Sequence, residues 1–205
     1  MTTRISGLTG ATIETAPSVC HECIWWQTRN TRGVDKRKWI RDAEEDWGAW
    51  GTVYHDDDGR LLGSMQYGPA DIFPRARELP AGPASEDAAL VTCAYLADSS
   101  RPWVMQSLFL TAIGDVRERG ARALEAFAYR YPEGETTFER FHVHRTIFPA
   151  DFLADFGFLP VRSKGRVELA RLELGGLQPV AEGTREVVLA KVREAFMPAP
   201  APQRP

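Results

Sequence analysis

Between residues 90 and 119 the chain changes from a continuous apolar run to a helical period within a few positions. Residues 90–96, in ALVTCAYL, read as a buried strand. PWVMQSLFLTAIGDVRER then places Met105, Leu108, Phe109, Ala112 and Val116 at three- and four-residue spacing, the stripe of an amphipathic helix closed by Gly120. The turn between them is ADSSR. Pro102 suits the first helical turn, where its missing N–H costs nothing, and Ser99 or Ser100 can cap. A strand feeding a helix N-terminus gathers backbone N–H groups and the positive end of the helix dipole into an anion site. This turn is placed for a phosphate but contains no glycine.

The flanking pattern gives the rest of the order. The first nineteen residues are weakly patterned, and Ile24, Trp25 and Trp26 suit a short buried strand or a turn packed on the core. A helix over 36–47 carries Trp39, Ile40, Ala43 and Trp47 on one face, with Gly48 at its end. Five of the six tryptophans fall between Trp25 and Trp50, an aromatic wall on the N-terminal side. GTVYHDDDGRLLGSMQYG reads as a hairpin about Asp58 and Gly59, where the acids Asp56, Asp57 and Asp58 are ordinary turn residues. Residues 69–83 hold four prolines and read as a long connection of the kind that serves as a lid or binding loop. RALEAFAY, at 122–129, is expected to be a strand parallel to the one at 90–96, because a helix crosses between them. The polar stretch RYPEGETTFERFHVHRT leads to a short helix at 149–156 ended by Gly157, and FLPVR with VELARLEL reads as a closing antiparallel pair. A domain over 1–176 is thus followed by an amphipathic helix within 177–197, a candidate partner or dimerisation element, and a disordered proline-rich tail at 198–205.

Charge and cysteine usage narrow the partners. With 25 basic and 28 acidic residues the net charge is −3, and no basic stripe offers itself to nucleic acid. No apolar run approaches a membrane span and nothing resembles a signal peptide, so a cytoplasmic protein acting on a small molecule or another protein is expected. Three cysteines, an odd number, fit a reducing compartment. Cys93 sits mid-strand as a small core hydrophobe. Cys20 and Cys23, in CHEC, are half of a zinc site that His21, His55, His142 or His144 would have to complete. With no second CxxC and no H-x3-H, no metal is assigned, and two partly buried thiols beside the tryptophans are the favoured reading. His142 and His144 alternate in FHVHRT, so on a strand they share a side; His144 is a candidate general base, with Glu22 its rival.

The order helix, hairpin, strand, anion-site helix, strand, short helix, Gly-Phe and strand pair resembles the GNAT (GCN5-related N-acetyltransferase) superfamily. CHECIWW, KWIRDAEEDWGAWG, LPAGPASEDAALVTCAYL and FPADFLADFGF look like an actinobacterial GNAT-like group with an N-terminal CxxC-aromatic element, over residues 20–174. The resemblance implies an α+β fold with a central mixed sheet flanked by helices, to which this chain adds a C-terminal helix. It also implies acetyl-CoA as cosubstrate and an amine, small or on a protein, as acceptor. The pantetheine arm would lie between splayed strands and pair with the backbone of Ala94, Tyr95 and Leu96 as an added strand. The pyrophosphate would meet Arg101 and the amides of Val104, Met105, Gln106 and Ser107.

Three features depart from that family pattern. Trp103 and Met105 stand where its phosphate loop has small residues, Leu153 where many members place a tyrosine acid, and Gln27 where the relatives carry a glutamate. The expected function is N-acyl transfer by direct attack of an amine on the thioester. A GNAT-fold protein that has lost catalysis and serves as a binding or assembly partner is the rival, and a zinc-stapled interaction module centred on CHEC is a third, weaker reading.

Overall fold

The computed structural model describes residues 4–28, 33–98, 100–132 and 144–176. The expected C-terminal helix, the tail, Ser99 and His142 lie outside these residues. One mixed sheet runs through the molecule in the order β1 (Arg4–Gly7), β2 (Gly51–His55), β3 (Leu61–Pro69), β4 (Ala88–Leu96), β5 (Ala123–Tyr129), β9 (Val167–Glu173) and β8 (Leu159–Lys164), with two short strands, β6 (His144–Arg145) and β7 (Phe148–Pro149), off that path. The β2–β3 hairpin forms as expected: the Asp56 carboxylate accepts from the amides of Asp58 (3.0 Å) and Arg60 (2.9 Å), so these acids belong to the turn. β1 pairs with β2 and was not expected, since four residues are too few to reveal an alternation.

Helix α3 (Pro102–Glu118) packs on one face of the sheet, and all five residues of its expected stripe are buried. Trp103, Val104, Ser107 and Thr111 are buried as well, so apolar and small polar residues enclose α3 around much of its circumference. Gly63 permits this approach: a Cβ there would come within 2.8 Å of the Tyr95 carbonyl and 2.9 Å of a Val104 methyl. Helix α4 (Ala150–Asp155) joins α3 on the same face, where Phe109 makes edge-to-face contacts with Phe148 and Phe152 at 5.1 and 5.2 Å. Pro149 caps α4, and Gly157 ends the segment at φ +85°, a left-handed conformation open to glycine.

Helix α1 (Ser18–His21), helix α2 (Lys36–Asp46) and residues 69–83 cover the other face. Asp35 caps α2 by accepting from the amides of Arg37 and Lys38. The tryptophan wall lies here, Trp39 meeting Trp50 at 5.1 Å and Phe73 at 6.0 Å. Ile24, Trp25 and Trp26 resolve as a turn, with the Arg75 amide donating to the Trp26 carbonyl (3.3 Å). The proline-rich connection is therefore not a lid. It folds into two 3-10 turns that bury Phe73, Ala76 and Ala81 completely, and the Trp39 indole N–H donates to the Ile72 carbonyl at 3.0 Å.

β4 and β5 are parallel, as the crossover helix requires, but they pair only from Ala88↔Ala123 to Val91↔Ala126. Beyond that point the strands part, and the chain's own residues 144–149 enter the gap. Ala94 and Tyr95 of β4 pair antiparallel with Arg145 and His144, while Ala128 and Tyr129 of β5 pair in parallel with Phe148 and Pro149. The fully buried Phe148 anchors this segment. At the far edge β8 is exposed along its whole length, with a bulge between Pro160 and Arg162.

Candidate functional site

The turn that leads into α3 is organised around its own carboxylate, Asp98, which binds the residues just before the helix rather than the helix amides. Arg101, not a serine, occupies the cap position and makes no side-chain cap bond. Ser100 instead donates to the Asp98 carboxylate through its amide (2.9 Å) and its hydroxyl (2.6 Å), the Arg101 guanidinium lies 3.2 Å from the same carboxylate, and the Arg101 amide donates to the Asp98 carbonyl. The Ser100 hydrogen bonds hold the Asp98 carboxyl below the usual carboxylate range. The Val104 amide donates to the Arg101 carbonyl (3.0 Å), and Val104, Met105 and Ser107 are buried. Replacing Asp98 by Ala is expected, in urea unfolding, to lower stability by less than about 1 kcal/mol at neutral pH, because solvent screens a half-exposed carboxylate. Because the folded pKa is depressed, this difference is complete above the unfolded value of about 3.9 and disappears as the pH falls through the lower folded value.

On the opposite face of β4 a cavity of about 390 Å³ opens between the N-terminal segment and strands β3 and β4. Cys20, Cys23, Trp25, Trp26, Gln27 and Lys36 line one side; Gln66, Cys93, Ala94, Tyr95 and Thr146 line the other. Cys93 is thus not sealed in the core but half-buried at the cavity wall, donating weakly to the Gln66 side chain, which also accepts from Thr92 (2.9 Å). All three cysteines are free; burial pushes the Cys20 thiol up to about 11 and the Cys93 thiol up to about 12, so both are neutral at physiological pH. Among the described residues no group of three or more His, Cys, Asp or Glu side chains is arranged to hold a metal. His21, a possible ligand from spacing, spends a ring nitrogen on the Ala16 carbonyl at 2.9 Å.

The expected site residues divide between these two features. Ala94 and Tyr95 belong both to the cavity wall and to the edge paired with β6, whereas Leu96 is buried on the α3 side. His144 stands opposite Tyr95 in the strand register. Glu22 is exposed at the end of α1 and is not a lining residue. Leu153 is buried against α3, so no acid stands at that position, and Gln27 is buried in the cavity wall. Sequence reasoning missed Lys36, read only as the start of a helix. Its signal was present: Lys36 lies three, four and seven positions before Trp39, Ile40 and Ala43, a lysine on the buried stripe.

A mixed sheet whose parallel central pair parts beside a cavity, with the crossover helix packed behind it, defines the GNAT fold. A solved GNAT-family protein from Desulfovibrio desulfuricans superimposes with a TM-score of 0.50 at 16% identity, covering 85% of this chain and 100% of that one. Weaker likenesses are a GCN5-related N-acetyltransferase from Kribbella flavida (TM-score 0.46, 16% identity, 84% of this chain and 98% of that one) and the ribosomal-protein-S18-alanine N-acetyltransferase from Escherichia coli (TM-score 0.47, 12% identity, 89% and 98%). No protein-family model and no curated sequence matches the chain. Among the described residues no helix is long and apolar enough to cross a membrane.

Proposed function

We propose that this chain is an acyl-CoA-dependent N-acyltransferase in which residues 144–149 must leave the gap between β4 and β5 before the coenzyme enters. The observation that carries the reading is the parting of that parallel pair after Val91 and Ala126, beside a cavity that shares Ala94 and Tyr95 with the gap. With the segment withdrawn, the backbone of Ala94, Tyr95 and Leu96 is free to pair with pantetheine, and Arg101 with the first turn of α3 faces the pyrophosphate. The amine, held in the cavity, attacks the thioester carbon; the C–N bond forms, the C–S bond breaks, and the thiolate departs. The amine's proton passes to a base, for which Glu22, next to the lining Cys23, and His144, carried out with residues 144–149, are the proposed groups. Either acts only by turning towards the cavity once that segment has moved. Approach and orientation within the two adjoining sites supply the rate, with no covalent intermediate on the protein. Three free thiols suit a reducing cytoplasm, and the apolar stripe expected from the sequence within 177–197 is the proposed surface for a second copy or a protein partner.

Isothermal titration with acetyl-CoA tests the reading. Saturable heat is expected in the micromolar to millimolar range, an affinity of about −4 to −8 kcal/mol. No detectable heat at millimolar coenzyme overturns it. That outcome selects the second reading, a GNAT-fold binding protein without catalysis. Two observations favour this rival: the gap is filled by the chain itself, and the Arg101 guanidinium that would meet a pyrophosphate is already paired with Asp98.

A further inference from the structure

The cavity wall has more hydrogen-bond donors than acceptors. The Lys36 residue is only 6% exposed, and its ammonium rests over the rings of Trp39 and Trp50, 4.5 and 5.2 Å from their centres, with no carboxylate partner among the described residues. Its neighbourhood offers no buried counter-ion: Cys20 and Cys93 are neutral thiols, and Glu22, the one carboxylate whose charge reaches Lys36, is exposed to water and makes no ion pair with it among the described residues. Burial also lowers the Lys36 pKa, as expected for a cation removed from water without a counter-charge. Three further lining residues carry buried donors without acceptors: the indole N–H groups of Trp26 and Trp50 and the side-chain amide N–H2 of Gln27. The natural acceptor in the wall, the Gln66 side-chain oxygen, is already taken by Thr92 and Cys93. Buried donors left unpaired cost free energy that a ligand acceptor would recover.

We propose that this cavity binds a small molecule combining an apolar body with one carboxylate, Lys36 supplying the counter-charge and Gln27 a hydrogen bond. One ammonium balances one negative charge; a phosphate dianion would keep an uncompensated charge away from water. The apolar body lies against Trp25, Trp26 and Met65. A volume of about 390 Å³ admits a single-ring ligand. Taken with the acyltransferase reading, on which this part rests, the acceptor is an amine that also carries a carboxylate, an apolar amino acid or a relative of one.

The lining tryptophans provide a reporter. Intrinsic fluorescence of the full chain is followed during titration with phenylacetate, phenylacetamide and phenyl phosphate at neutral pH. Phenylacetate is expected to bind saturably and at least about tenfold more tightly than the other two, the size of a charge-assisted contact of 1.4 kcal/mol or more. Lys36→Met, which keeps the stem and removes the charge, is expected to lose that preference, and Lys36→Arg to retain most of it. Equal affinity for acid and amide, tighter binding of phenyl phosphate, or no saturable binding of phenylacetate to the unaltered chain overturns the proposal. The comparison of probes on the unaltered chain decides the matter even where Lys36→Met fails to fold. The acetyl-CoA titration is read separately: phenylacetate binding without coenzyme binding removes acyl transfer and leaves the cavity's specificity in place, whereas coenzyme binding with equal acid and amide affinity does the reverse.

Discussion

Exchanging both Trp103 and Met105 for glycine is expected to unfold much of the protein rather than to tighten coenzyme binding. These residues replace the small side chains of the family's phosphate loop, and from the sequence they read as obstacles to a pyrophosphate. In the fold they are core. Met105 is 2% exposed and Trp103 is 8% exposed, its indole set edge-on to Tyr54 at a ring separation of 5.8 Å. Truncating a buried tryptophan costs about 3–5 kcal/mol and a buried methionine about 2–5 kcal/mol. Two glycines in a helix add roughly 1 kcal/mol each. The sum rivals the whole stability of an ordinary domain, about 5–15 kcal/mol. Denaturant unfolding of the double variant, and of Met105→Ala alone, reads the effect. A double variant that stays within about 1 kcal/mol of the parent and binds acetyl-CoA more tightly would show that these side chains block the site.

Releasing β6 from β4 is expected to raise acetyl-CoA affinity by about five- to thirtyfold. His144→Pro combined with Arg145→Pro removes whichever of the two β6 N–H groups faces the β4 edge, adjacent strand residues pointing their N–H groups to opposite sides, while Phe148 keeps its place against Phe109. One or two ladder bonds at about 1 kcal/mol each, and the cost of displacing the segment, set the size of the gain. Isothermal titration of parent and double variant measures it. Unchanged affinity would mean that occupation of the gap is not what limits the coenzyme.

Much of the fold was legible because it rests on local pattern. The stripe of α3, the turn about Asp58 and Gly59, the Gly157 stop and the antiparallel β8–β9 pair each follow from spacing within a dozen residues, and each forms. What escaped depends on partners distant in sequence. Residues 69–83 look like a loop because their proline spacing has no period, yet Phe73 is buried by Trp39, more than thirty positions earlier. Ser100 looks like a helix cap until Asp98 competes for its amide. The filling of the gap could not be read at all: it joins β4 to residues fifty positions later through backbone pairing, which leaves little trace in side-chain type. For the cavity, the sequence gathered the cysteines and tryptophans but passed over Lys36, since a lysine at the start of a helix is ordinarily solvated.

The exposed strand β8 bears on how these molecules behave towards one another. A sheet that ends in a free edge is open to pairing with the edge of a neighbouring chain. Here Pro160 supplies no N–H, the bulge between Pro160 and Arg162 breaks the ladder, and Lys164 brings charge to the strand. Arg162 is tied back across the fold, donating to the carbonyls of Ala81 (2.9 Å) and Pro83 (2.6 Å). Although Leu159 and Val161 are exposed, the strand is a poor template for edge-to-edge growth. At high concentration this end of the sheet is expected to resist the strand-by-strand stacking that leads to fibrils.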